Sequence, residues 1–178
     1  MGRPGCFVRQ LCAYGTSQSA RHRRNRCILR VECMTISMKN GYYYGENLSD
    51  LETEMARFSA LNYPSSLFRS SSCACGGSDF KLQTDEEAGV ARRICAVCNL
   101  QHLMGDSAEY VEESNPDDHI CVCDATIFAL LSGVALYPDS NDVRWYYIGC
   151  HCRNCGLIGV FAHWKCEAGD AAAFLDNI

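Results

Sequence analysis

The chain has 178 residues, 16 Lys+Arg against 21 Asp+Glu and a net charge of −5, with an ordinary hydrophobic content of 48%. This length suits one domain or two small ones. No apolar run approaches the roughly eighteen residues of a membrane-spanning helix, which predicts a soluble protein with no membrane partner.

Residues 1–37 hold seven Arg and one Glu, with Arg21-His22-Arg23-Arg24-Asn25-Arg26 as the densest basic run, whereas residues 38–178 carry the acidic excess. The composition break predicts a disordered basic tail over 1–37, or an artefactual extension with translation starting at Met34 or Met38. A nuclear-type signal, a transit peptide or a nucleic-acid arm are the functional alternatives for this run. Residues 38–72 read as a helix and a connector. Ser49-Asp50-Leu51-Glu52 matches a capping box. Leu51, Met55 and Phe58 follow at i, i+4 and i+7 on one helical face. A helix is therefore predicted from about Asp50 to Leu61, ending before Tyr63-Pro64.

Residues 73–110 read as a β module. Strands are expected at Asp79–Thr84, Gly89–Cys95 and Leu100–Met104, with an acidic turn at Asp85-Glu86-Glu87. Residues 111–120 form an acidic linker with a turn at Asn115-Pro116-Asp117. Residues 121–178 read as a second β module. Its segments Thr126–Leu131, Val134–Tyr137, Val143–Gly149 and Leu157–Trp164 are apolar on both faces, which predicts strands buried on both faces. Gly169 to Leu175 reads as a short helix capped by Asp170. The fold class is mainly β with a few helices (α+β): two tandem modules preceded by an amphipathic helix.

The chemistry lies in the 14 cysteines. No N-terminal segment has the apolar core of a secretory signal, and the cysteines cluster as Cys-x-Cys and Cys-x-x-Cys. That favours metal chelation over a disulfide scaffold and implies a reducing, cytoplasmic setting. An internal repeat organises them. Cys73-Ala74-Cys75 precedes Phe80 and Leu82, and Cys121-Val122-Cys123 precedes Phe128 and Leu130. Downstream, Cys95-Ala96-Val97-Cys98-Asn99-Leu100 matches Cys152-Arg153-Asn154-Cys155-Gly156-Leu157. The gap from Cys75 to Cys95 is 20 positions and that from Cys123 to Cys152 is 29. Leu136–Asp142, rich in turn residues, is the expected place for the nine extra residues.

Each copy holds a full Cys₄ set, so Cys73, Cys75, Cys95 and Cys98 are expected on one Zn²⁺ and Cys121, Cys123, Cys152 and Cys155 on another, two ions per chain. Four thiolates close the coordination sphere and leave no position for water, which makes a structural site rather than a catalytic one. Chelation by Cys-x-Cys is expected to need an extended middle residue. Gly76-Gly77 permits the following bend, and Asp124-Ala125 predicts a differently built turn in the second copy.

These eight cysteines resemble the zinc ribbons of the rubredoxin-like class over residues 73–165. The Cys-x-Cys pair departs from the Cys-x-x-Cys that most ribbons use. The resemblance implies a structural role shared by adaptors, transcription factors and enzyme appendages.

Cys150 and Cys166 are expected as buried small residues, with an alternative ligand or a reactive thiol as the other reading. His102, His119 and His163 are expected to be structural or solvated, and His151, between Cys150 and Cys152, could replace a ligand although four cysteines already suffice. No nucleophile with an adjacent base, phosphate loop or His-Glu-x-x-His motif is present, so the expectation is a non-catalytic zinc protein that docks a protein partner. The alternatives are a metal-dependent redox or thiol protein and a nucleic-acid-binding ribbon. The acidic body argues against the last.

Overall fold

The computed structural model describes residues 6–8, 31–33 and 35–178. Strands β1 (Cys6–Val8) and β2 (Val31–Cys33) pair antiparallel within a unit of residues 1–35. The expectation for residues 1–37 otherwise lies largely outside the described residues. Residues 36–178 form the second unit. There β3 (Ser37–Lys39) and β4 (Tyr42–Tyr44) make a hairpin, followed by α1 (Leu48–Ser59) and β5 (Leu67–Ser70). Next come β6 (Phe80–Asp85), β7 (Val90–Cys95) and β8 (Gln101–Leu103). Two short 3₁₀ turns, at Ser107–Glu109 and Val111–Glu113, lead to β9 (Asp117–Asp118). Three long strands, β10 (Phe128–Leu136), β11 (Val143–Cys152) and β12 (Leu157–Lys165), precede the terminal helix α2 (Ala171–Asp176).

Strands β3 to β12 join in one antiparallel sheet, ordered β3-β4-β12-β11-β10-β6-β7-β8, with β5 also on β10 and β9 on β6. Among the described residues the protein is thus mainly β with two helices. The halves of the sheet meet where Phe128 of β10 pairs with Phe80 of β6. Just beyond that pair, Leu131–Val134 of β10 take β5 as neighbour, so one side of β10 serves two partners in succession.

The long strands are apolar on both faces because both faces are covered. On one face, Tyr146, Ile148, Leu130 and Val134 pack with Phe80, Leu82, Met104, Trp164 and the α2 residues Phe174 and Leu175. On the other, Leu131, Ala135, Tyr147 and Ile158 pack under Leu51 and Met55 of α1. Burying each such large apolar side chain contributes about 1.5–3 kcal/mol. Two glycines let α1 approach. A Cβ at Gly149 would lie 2.3 Å from Met55 Sδ, and one at Gly133 would lie 3.1 Å from Met55 Cε.

Three local expectations are corrected. First, Ser49 does not cap α1. Asn47 does, its Oδ1 accepting from the N–H groups of Ser49 (2.8 Å) and Asp50 (3.1 Å). Asp50 Oδ2 reaches back to the Glu46 N–H at 2.8 Å. An Asn two positions earlier satisfies the orphan donors of an earlier first turn, and the helix begins there.

Second, Ser132-Gly133 does not interrupt a strand. The Ser132 hydroxyl bonds Tyr146 OH at 2.7 Å, and Gly133 runs under Phe68, so β10 is continuous. Third, the nine extra residues are not all in the turn. Strand β10 has nine residues where β6 has six, and β11 has ten where β7 has six, which leaves two for the longer turn.

Replacing Asn47 by Ala is expected to lower stability by about 1 kcal/mol, whereas Ser49→Ala should change it by only a few tenths. Urea unfolding of both variants reads the difference, and equal losses would restore Ser49 as the cap.

Candidate metal centres

Each centre is assembled from two turns that the sheet registers bring together. Cys73 opens a turn closed by the Gly76 N–H donating to the Cys73 carbonyl at 2.8 Å, with the Cys73 N–H donating to Gly77 O at 2.8 Å. Cys121 opens the same turn: Asp124 N–H to Cys121 O at 2.8 Å and Cys121 N–H to Ala125 O at 2.8 Å. Gly76 has φ +85° and Asp124 φ +64°. The expected difference between the two turns is therefore absent, because Asp is among the few residues that enter the left-handed region at modest cost. Nor is the middle residue extended. Ala74 and Val122 lie inside the turns, and this places the flanking thiols on one side.

The Cys-x-x-Cys segments match in the same way. Asn99 donates to Cys95 O at 2.9 Å and Gly156 to Cys152 O at 3.0 Å, and both take left-handed φ, +61° and +76°. Registers then deliver each segment to its partner turn. Phe80 pairs with Cys95 and Phe128 with Cys152. The next residues, Ala96 and Arg153, donate to Asp79 O and Ile127 O.

The result is two clusters, Cys73/Cys75/Cys95/Cys98 and Cys121/Cys123/Cys152/Cys155, each with sulfurs within 4.8 Å of one another. The ligand groups expected from sequential pairing are thus the groups brought together. Cys73–Cys98 and Cys75–Cys95 are 3.6 Å apart, as are Cys121 and Cys155, with Cys123–Cys152 at 3.7 Å. A tetrahedron with metal–sulfur bonds of about 2.3 Å has sulfur–sulfur edges of about 3.8 Å, so the spacing fits a tetrathiolate centre. It is far above the ~2.05 Å of a disulfide bond. Both clusters can hold a metal ion.

The sulfurs compete for charge. In the first cluster, backbone N–H groups of Cys98 and Val97 pull the Cys95 thiol down to about 6. At Cys75 the Gly77 N–H pulls down, but bonding to Cys73, Cys98 and Cys95 outweighs it and the thiol stands at about 12. In the second cluster the Asn154 amide, with the Ala125 N–H, pulls Cys123 down to about 6. Burial pushes Cys121 and Cys155 up. Four thiolates at this spacing repel one another unless a cation sits among them, and metal binding removes that competition by displacing the protons.

The surroundings differ. Arg93 is buried beside the first cluster, close enough to Cys73 and Cys95 to feel their charge, with its guanidinium 4.8 Å over the Phe80 ring and donating to Ile178 O at 3.0 Å. Burial lowers its pKa, and the cluster sulfurs oppose that shift. It supplies a counter-charge for thiolates. Its register equivalent is Cys150, since Leu82 pairs with Arg93 and Leu130 with Cys150. The second cluster instead receives the Asn154 Nδ2 donor at 3.5 Å from Cys123 Sγ. Neither Arg93 nor Asn154 stood out as a site residue in the sequence. The Arg93/Cys150 mismatch in the repeat is the signal that could have found Arg93.

Cys150 and Cys166 lie outside both clusters. Cys150 is fully buried, and burial pushes its thiol well up. Cys166 is held at about 12 by burial and by Asp106, whose Oδ2 accepts from its Sγ at 3.1 Å. The histidines are placed in the fabric of the fold. His151 meets Gly45 O at 3.1 Å, and His119 meets Thr84 Oγ1 at 2.6 Å, with its pKa lowered by burial. His163 stands among Phe58, Trp145 and Tyr147. No helix of the described residues is long and apolar enough to cross a membrane.

Comparison with family models, curated proteins and solved structures gives no match. The site's own geometry therefore carries the functional argument.

Gly76→Ala and Asp124→Ala are each expected to cost about 1 kcal/mol, because Ala is strained at positive φ. Gly159→Ala, with open space around its Cβ, serves as the control. Denaturant midpoints of the three variants check this.

Proposed function

We propose that this chain is a non-catalytic zinc-binding protein with two structural Cys₄ centres, built from two copies of a zinc-ribbon-like module, whose task is to dock a protein partner in the cytoplasm. The observation that carries the metal reading is the pair of four-sulfur clusters at tetrahedral spacing. All-thiolate tetrahedra suit Zn²⁺, which has no geometric preference of its own to satisfy. The eight ligands are Cys73, Cys75, Cys95, Cys98, Cys121, Cys123, Cys152 and Cys155. The duplication is supported by matching turns and by matching Phe80–Cys95 and Phe128–Cys152 pairs.

A closed tetrathiolate has no free coordination position, so its contribution is folding energy. Protein docking is supported by apolar side chains beside the cysteines. Val97 is 71% exposed, Leu100 53%, Ile120 59% and Val122 57%. A net charge of −5 does not favour phosphate backbones.

Protein purified under reducing conditions is expected to carry two zinc ions per chain, colourless rather than the red of an iron tetrathiolate. Elemental analysis giving one ion or fewer in folded, reduced protein would sink the two-site reading. Cys98→Ser should lose one ion and raise hydrogen exchange around Cys73–Cys75 and β8. Cys155→Ser should be the more damaging change, because Cys155 lies between the two central strands β11 and β12. Native mass spectra and exchange maps of both variants show which cysteines share an ion.

A further inference from the structure

The two clusters are alike in ligands and unlike in cover. In the first, Cys75 and Cys98 are exposed, and only Cys73 and Cys95 are buried. In the second, Cys121 and Cys152 are buried, and Cys123 and Cys155 are half-buried.

The reason lies in the sheet. Strand β12, which leaves the second Cys-x-x-Cys turn, is covered on its outer side by β4, with Leu157 paired to Tyr44. The Gly45 N–H donates to Gly156 O at 2.9 Å inside that turn. Tyr44 packs against the core that contains Cys121 and Cys152 and feels the charge of Cys155, Cys121 and Cys123. Strand β8, which leaves the first Cys-x-x-Cys turn, is the last strand of the sheet order, and nothing pairs with its outer side among the described residues. Thiol oxidation follows thiolate character and access of the oxidant to sulfur; once an ion displaces the protons, all four sulfurs of each cluster are thiolates, and access then separates the two clusters.

The geometry points to the first cluster as a peroxide-sensitive modification site, at which oxidation forms Cys73–Cys98 and Cys75–Cys95 disulfides and releases the first metal ion while the second stays bound. Each exposed sulfur has a buried resolving partner 3.6 Å away: Cys73 for Cys98 and Cys95 for Cys75. The exposed thiolate attacks a peroxide oxygen and breaks the O–O bond, giving a sulfenic acid and hydroxide. The buried thiolate then attacks that sulfur and expels a second hydroxide as the S–S bond forms. Two thiolates lose two electrons, one peroxide gains them, and two protons from solvent complete two waters. Two such steps consume all four thiolates, and the ion has no ligands left. The released ion and the thiolate form of Cys75 rest on the zinc reading above; the order of Cys98 before Cys155 rests on their exposure.

The test is graded hydrogen peroxide on the full chain, followed by a chromogenic zinc indicator and by differential alkylation with mass spectrometry. Metal content is measured before the oxidant is added, so a failure of the two-zinc reading is seen separately. The expected result is loss of one of two ions first, with Cys73–Cys98 and Cys75–Cys95 crosslinks and with Cys121, Cys123, Cys152 and Cys155 still reduced. Addition of a thiol reductant and Zn²⁺ should restore the starting spectrum. In Tyr44→Ala the second ion should be lost earlier while the first is lost as before. Simultaneous loss of both ions, earlier oxidation of the Cys121 group, resistance of both groups, or an unchanged second loss in Tyr44→Ala would overturn the proposal. Should the protein hold less zinc than expected, the alkylation order still decides, and equal oxidation of Cys98 and Cys155 would reject it.

Discussion

Four sulfur atoms gathered within 4.8 Å of one another are the constraint on which the rest of this structure depends. Thiols at that spacing cannot share negative charge without a cation, and they do not approach closely enough to be disulfides. Each group ties a Cys-x-Cys turn to a Cys-x-x-Cys turn, and between the two turns runs a complete hairpin. The sulfurs therefore set the hairpin registers, Phe80 opposite Cys95 and Phe128 opposite Cys152. Everything packed on those hairpins inherits the register.

The second hairpin became the centre because it is longer. Its extra residues extend both strands past the sulfur cluster, and the β5 pairing at Leu131–Val134 runs into that extension, while Gly133 and Gly149 form part of the seat for α1. The shorter hairpin β6–β7 takes only the two-residue β9 at Gln83 and Thr84 and joins the sheet through the Phe80–Phe128 pair. What separates a covered cluster from one at the sheet's edge is the strand alongside: β4 pairs with β12, whereas β8 has no outer neighbour among the described residues. The first cluster's buried cation, Arg93, and its exposed sulfurs, Cys75 and Cys98, have no counterpart at the second, where Cys150 is neutral and Tyr44 stands close by.

The sequence by itself determined the two cysteine groups, the hairpins between them, the apolar character of β10, β11 and β12 on both faces, and Asp170 as the cap of α2, whose Oδ1 accepts from Ala172 and Ala173. These are local features. Ligand spacing, strand periodicity and a capping side chain act within a few residues, so they can be read without knowing what packs against what.

Tertiary structure decided the rest. Periodicity does not say that Ser132 and Gly133 stay in a strand, because the reasons are Tyr146 and Phe68, neighbours supplied by other elements. Ser49 and Asn47 are both legitimate caps by residue type, and the choice went to the residue at which the chain leaving β4 turns into the helix. Propensity does not reveal that Asp124 would copy the turn of Gly76, since the closing hydrogen bonds and the gathered sulfurs select the left-handed backbone that Asp merely tolerates. Nor can a repeat show which copy is shielded. Exposure depends on whether a further strand lies alongside, and the strand that covers β12 comes from residues 42–44, more than a hundred positions before it.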